Sequence, residues 1–242
     1  MDYEEIVKRW QQNPILDRAD TDLKLRNFRV LFAFHSGKIG NDRISYNDTR
    51  DIFENGTVSH YTGDVRTLFE QKNQKDCYEM LGDGIVKKVP LSLELIKQIH
   101  FELTKGAYDQ SHLDKGERPG ELKKHDYVIG CMDAGSPALK AESDLSGLLE
   151  EIKASDGDSV LKAAARLHAG FENIRPFADG NGRAGRTVMN YHLMLNSHPP
   201  IILFEEDRKK YYKALEQFDR KKDSEPLTAF LTAQCEKTWN ID

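Results

Sequence analysis

Cysteine is scarce. Cys77, Cys131 and Cys235 are odd in number and far apart, which argues against a disulfide framework and against the C-x-x-C spacing of zinc or dithiol sites, and fits a reducing compartment. No apolar run approaches bilayer-spanning length, and Met1-Asp2-Tyr3-Glu4-Glu5 has neither the positive start nor the apolar core of a secretory leader. A cytoplasmic protein with no membrane partner is expected. Basic charge is not in excess either: a net charge of -5 provides no electrostatic footprint for nucleic acid, and Arg208-Lys209-Lys210 reads as a solvated helix face. Alternating strand patterns are few, and there is no internal repeat, low-complexity tract or long linker.

What is present is helical periodicity. Leu25, Phe28 and Phe32, then Ile96, Ile99 and Leu103 behind a cap at Ser92, then Leu145, Leu148 and Ile152, recur at helix spacing. Tyr211 and Tyr212 share such a pattern with Leu215 and Phe218, and Ser224-Glu225-Pro226 opens a last helix through Leu227, Phe230 and Leu231. Gly82-Asp83-Gly84 and Ala154-Ser155-Asp156-Gly157-Asp158 read as turns between helices. At 242 residues, near the upper size of one core, the chain is expected to be a single all-α domain over 1–242.

The densest chemistry lies in Phe171-Glu172-Asn173-Ile174-Arg175-Pro176-Phe177-Ala178-Asp179-Gly180-Asn181-Gly182-Arg183-Ala184-Gly185-Arg186. Glycines let backbone N–H groups turn inward on an anion, and the following apolar run starts a helix whose positive end faces the same place. Arg183 and Arg186 are one turn apart. Gly180, Gly182 and Gly185 satisfy the dinucleotide spacing G-x-G-x-x-G, and Gly180, Gly185, Arg186 and Thr187 approach a P-loop, but both need a preceding buried strand. Val160, Ala164, Leu167, Phe171 and Ile174 are instead a helix face, capped by Ser159 or Asp158. A calcium loop starting at Asp179 fails as well, because Arg183, Ala184 and Asn190 stand where ligands and glycine are needed.

Helix, then Pro176 through Arg186 as Pro-Phe-x-Asp-Gly-Asn-Gly-Arg-x-x-Arg, then helix resembles the Fic-domain family. The likeness extends from a helix near Ser36 to the helix of Tyr211 and Tyr212, and so covers most of the chain. It implies an all-α Fic fold with a small β-hairpin flap, an N-terminal helical segment at about 20–60 and a core at about 90–242 carrying the motif at 175–186. The implied activity is protein adenylyltransfer: AMP passes from ATP to a Ser, Thr or Tyr hydroxyl of a target protein, or of the chain itself, with Mg²⁺ as cofactor. A homodimer is compatible with it.

Two positions depart from the family pattern. Arg175 stands where active members have the His that accepts the hydroxyl proton, and a guanidinium has only donors. Loss of a positioned base costs roughly 100- to 10,000-fold in rate, so weak or absent turnover is expected. Ser36-Gly37-Lys38-Ile39-Gly40-Asn41 resembles the inhibitory segment, with Gly40 in the glutamate position; the family's glutamate pairs with the second motif arginine, here Arg186. Without the resemblance, Gly40-Asn41-Asp42 reads as a plain helix cap and turn.

The resemblance implies Asp179 as the Mg²⁺ ligand, and Gly180, Asn181 and Gly182 as the phosphate nest, the Asn181 amide reaching the α-phosphate. Arg183 and Arg186 would neutralise the β- and γ-phosphates, so that Arg175, Asp179, Asn181, Arg183 and Arg186 form the catalytic set. Phe177 is included with the nucleotide site as packing that fixes the loop, and Tyr211 as a wall for adenine. His168, beside the apolar face, reads as structural. The glycine-, proline- and charge-rich segment 115–130 resembles the flap, with Arg118, Gly120, Leu122 and Lys123 docking an extended target by strand addition. Two other functions stay open: a nucleotide-binding pseudoenzyme that regulates a partner, and a relative using another phosphate donor such as a CDP-linked group.

Overall fold

The computed structural model describes residues 1–129, 132–133, 135–155 and 159–240. Its helices are α1 (Tyr3–Gln12), α2 (Arg18–Lys24), α3 (Arg26–Lys38), α4 (Tyr46–Asn55), α5 (Val65–Val86), α6 (Leu93–Thr104), α7 (Gln110–Asp114), α8 (Ala141–Lys153), α9 (Val160–Ile174), α10 (Asn181–Leu195), α11 (Arg208–Lys221) and α12 (Glu225–Trp239). The β-structure among the described residues is one antiparallel ladder, β1 (Val128–Ile129) with β2 (Met132–Asp133), pairing Val128 with Asp133 and Ile129 with Met132. The class is all-α, as expected. No helix among the described residues is long and apolar enough to cross a membrane.

Helix starts follow local chemistry. Ser45, Asp64, Ser92 and Ser159 each accept a first-turn N–H on a side-chain oxygen, a contribution of about 1 kcal/mol apiece. Ser159 is thus the α9 cap; Asp158, with Asp156 and Gly157, lies outside the described residues, as do Gly130 and Cys131. Cys77 and Cys235 are buried free thiols.

α9 is the shared wall of two apolar clusters. On one side Leu167 and Phe171 meet α6 (Ile96, Ile99, Leu103), α8 (Leu145, Leu148) and α10 (Val188, Tyr191). On the other, Leu161 and Ala165 meet Met189, Leu215, Leu227 and Leu231. Small residues allow this double contact: a Cβ on Gly170 would lie 2.7 Å from Leu148 Cδ1. Packing on both sides leaves α9 and α10 no freedom to shift, and the turn joining them inherits that rigidity.

The turn expected at Gly82-Asp83-Gly84 is not there: these residues lie inside α5. Their glycines serve contact rather than chain reversal. A Cβ at Gly82 would overlap the Arg18 guanidinium, and one at Gly84 would sit 3.0 Å from the Tyr191 hydroxyl. Glycine inside a helix costs about 1 kcal/mol relative to alanine, offset here by close approach of α2 and α10.

Candidate functional site

α9 ends on Arg175, whose backbone is left-handed (φ 47°, ψ 66°) while its N–H still reaches the Phe171 carbonyl at 2.9 Å. A side chain in that region costs about 1–3 kcal/mol and persists only where its surroundings enforce it. Backbone bonds on both flanks do so: Ser136 N–H donates to the Ile174 carbonyl and Lys123 N–H to the Pro176 carbonyl, each at 2.9 Å. Next, the Asn181 side chain clasps the loop, accepting Phe177 N–H at 2.9 Å and donating to the Phe177 carbonyl at 2.7 Å. Phe177 is buried and lies flat on the His100 ring, centroids 3.7 Å apart. His100 accepts Gly120 N–H at Nδ1 and donates from Nε2 to the Asp179 carbonyl, both at 2.9 Å, which fixes its tautomer. Burial lowers its pKa to about 4, so the ring is neutral.

Gly180 caps α10 at φ 74°, and a Cβ there would lie 2.7 Å from Thr104 Cγ2, so only glycine fits. The N-terminus of α10 then faces a cleft with its unpaired N–H groups. Arg186, buried, donates from Nε to Ser36 Oγ (3.0 Å) and from Nη2 to the Ser36 carbonyl (2.7 Å). Arg183 Nη1 lies 3.4 Å from Glu70 Oε1. Asp179 accepts Gly180 N–H on Oδ1 at 2.7 Å and Arg66 Nη2 on Oδ2 at 2.8 Å. Burial raises the Asp179 pKa, but Arg183, the Gly180 N–H and Arg66 outweigh it and hold the carboxyl below the usual range. Asn41 ties α3 to α5 by donating to Glu70 Oε2 (3.0 Å) and Thr67 Oγ1 (3.1 Å).

The cleft measures about 250 Å³. Ser36, Gly37, Gly40 and Asn41 line it from the end of α3, Arg66 and Glu70 from α5, and Glu172 and Arg175 from α9. Asp179 and Gly180 contribute from the turn, Asn181, Gly182, Arg183 and Arg186 from α10, and Tyr211 and Tyr212 from α11. Four arginines face three carboxylates, a balance suited to a compact polyanion.

Residues 90–193 match the family model described as Fic/DOC. Over residues 90–193 the chain is similar to Fic domains. The protein adenylyltransferase Fic of Drosophila melanogaster is 26% identical over 223 residues, covering 86% of this chain and 41% of the relative. That of Aedes aegypti is 27% identical over 243 residues, covering 92% and 44%. The chain therefore spans about two fifths of the length of these curated relatives. Among solved structures, a Fic domain-containing signalling protein from Bacteroides thetaiotaomicron superposes with a TM-score of 0.82 at 19% identity, covering 98% of this chain and 94% of that one. A Fic family protein from Desulfovibrio desulfuricans gives 0.74 at 21%, covering 98% and 70%. At these identities the likeness speaks for the fold.

The Fic motif and the Ser36–Asn41 segment share one cleft, although about 140 residues part them in sequence. Gly40 and Asn41 N–H groups both close on the Gly37 carbonyl, so the local structure is the plain turn after α3, and Gly40 presents no side chain to Arg186. Phe177 is stacked in the core on His100, the loop-fixing packing expected of it. Three expectations need correction. The Asn181 side chain is committed to the Phe177 backbone and braces the loop instead of reaching outward. Tyr211 touches the cleft but is buried, with its hydroxyl 2.8 Å from His168 Nε2, whereas Tyr212, half exposed, presents the accessible ring. The residues given to the flap form no strand. Arg118 caps α7 through the Leu113 carbonyl, Gly120 is bonded to His100, Leu122 packs on the core and Lys123 N–H holds Pro176, while the ladder lies further on at 128–133.

Sequence reasoning missed Arg66, Glu70 and His100, and passed over Glu172. His100 sits among Ile96, Ile99 and Leu103, and a polar residue on that stripe was the available signal. Arg66 and Glu70 form an i,i+4 pair that looks like ordinary surface charge. Burial raises the Glu172 pKa; its Oε2 is 3.9 Å from Arg175 Nη1 and its Oε1 has no hydrogen-bond partner.

Proposed function

We propose that this cleft binds the phosphates of ATP and that its chemistry is transfer of AMP to a protein hydroxyl, restrained in this chain by Arg175. The observation that carries the reading is the convergence of Arg183, Arg186, Asp179 and the α10 N-terminus on one small cleft inside a Fic domain. At about 250 Å³ the cleft is smaller than most sites for whole ligands, typically ~300–1,000 Å³, and suits a phosphate chain with the base at the mouth beside Tyr212. The hydroxyl attacks the α-phosphorus, the bond to the β-phosphate oxygen breaks and pyrophosphate leaves. The hydroxyl proton must go to a base, and the Arg175 guanidinium offers donors only.

Mg²⁺, which the family resemblance implies, does not fit the donor set as placed. Asp179 Oδ1 is engaged by Gly180 N–H and Oδ2 by the Arg66 guanidinium.

Incubation with α-labelled ATP and a host lysate tests the reading on the chain and on Arg175→His. Label appearing with Arg175→His, on lysate proteins or on the chain, supports a disabled transferase. Label transferred equally by the Arg175 chain refutes the claim that this position must supply the base. A second reading, ligand-dependent control of a partner without transfer, draws on the missing base alone, and ATP binding without label from either protein would favour it.

A further inference from the structure

We propose that Arg66 takes the place of a divalent cation in this cleft, so that the site holds the phosphate chain of a nucleotide without metal. The inference rests on the ATP reading above and adds to it. Arg66 lies in the first turn of α5, and three carboxylates converge on it: Asp179 Oδ2 at 2.8 Å from Nη2, Glu70 Oε1 at 3.5 Å from Nε and Asp109 Oδ2 at 3.6 Å from Nη1. They come from the α9–α10 turn, from α5 itself and from the start of α7, so the chain has built an acidic pocket around a fixed positive charge. A guanidinium has five N–H donors, and this one is 37% exposed and lines the cleft. Donors remain for phosphate oxygens arriving from the open side.

A cation at Asp179 would have to displace a short charge-assisted bond and set its oxygens at ~2.0–2.1 Å in near-octahedral order. Arg66 already provides the positive charge there, and it does so from a position anchored by three partners. A second group points the same way. Arg183 Nη1 is buried without a hydrogen-bond acceptor, with the Glu70 carboxylate 3.4 Å away and the Asp179 carboxylate close enough to feel its charge. An anion between Arg66 and Arg183 would satisfy that donor and complete the neutralisation that a divalent ion would otherwise supply.

Calorimetric titration of the full chain with ATP, in EDTA and then in excess Mg²⁺, tests this. The affinity in EDTA should match that in Mg²⁺ to within about threefold. Arg66→Ala should lose about tenfold or more in EDTA and regain part of it on adding Mg²⁺, since Asp179 is then free. Arg66→Lys should recover only part of the loss, because an ammonium cannot reproduce the fork. Arg66→Ala leaves Asp179 and Glu70 without this partner, so titrations are run well below the melting temperature of each variant. Binding by the parent that requires Mg²⁺ overturns the inference and leaves the ATP site standing. Equal or tighter binding by Arg66→Ala in EDTA also overturns it, identifying the ion pairs as a block on the cleft. Absence of binding in both conditions removes the ATP reading together with this one.

Discussion

Replacing Gly180 with alanine separates two forces that act on the cradle. The residue holds φ 74°, ψ 5°, and its Cβ would meet Thr104 Cγ2 at 2.7 Å and His100 Nε2 at 3.4 Å. The left-handed backbone costs an L-residue about 1–2 kcal/mol. Overpacking against a core methyl adds about 1–3 kcal/mol, so Gly180→Ala should destabilise by roughly 2–5 kcal/mol in total. Thr104→Ser deletes the offending methyl and keeps the hydroxyl that donates to the His100 carbonyl at 2.7 Å; alone it should cost about 1 kcal/mol. In the double variant the steric part vanishes while the backbone part stays. Urea titrations of all four proteins at constant slope should give a favourable coupling of about 1–3 kcal/mol. Additivity within about 0.5 kcal/mol would refute the claim that Thr104 is what excludes a side chain at position 180.

Burial holds His100 at a pKa of about 4 and His168 at about 3, below the ordinary 6.5. The unfolded chain takes up these protons first, so stability is full above pH ~6.5 and falls as pH drops toward 4. Urea midpoints should decline across that window, and His100→Asn should flatten the decline; an unchanged slope in the variant contradicts the assignment. Glu172, whose pKa is raised by burial, loses its stabilising protonated form as pH climbs, so Glu172→Gln should gain on the parent as pH rises above the ordinary 4.5. A stability gap that stays constant with pH rejects this. In α5, Gly84→Ala should lower stability by about 1 kcal/mol despite its helix propensity, because the Tyr191 hydroxyl, bonded to the Val89 carbonyl at 2.6 Å, lies in the way. In a Tyr191→Phe background the same change should stabilise, and a stabilising effect in the parent would count against the contact.

Much of the helical plan is written in local chemistry. Ser92 and Ser159 cap where an apolar stripe begins, and the run from Val160 to Ile174 declares a buried helix by its spacing. Gly82-Asp83-Gly84 misleads because glycine marks both a chain reversal and a close approach, and only the presence of Arg18 and Tyr191 decides between them. The motif loop was legible as a glycine-rich turn opening a helix because its residues are contiguous. The partners of that loop were not, since Arg66, Glu70 and His100 reach it from α5 and α6, and their local patterns are an ordinary i,i+4 pair and one polar residue on an apolar stripe. Asn181 and Phe177 carry the right identities for a nucleotide loop, yet the fold spends their side chains on shaping it.

The two backbone bonds beside Arg175 connect distant points of one segment: Lys123 holds Pro176 and Ser136 holds Ile174. Both feet of the stretch from 123 to 136 therefore stand on the peptides flanking a residue in the left-handed region. A pull on that stretch is a torque on position 175, and release of either foot lets the strained backbone relax.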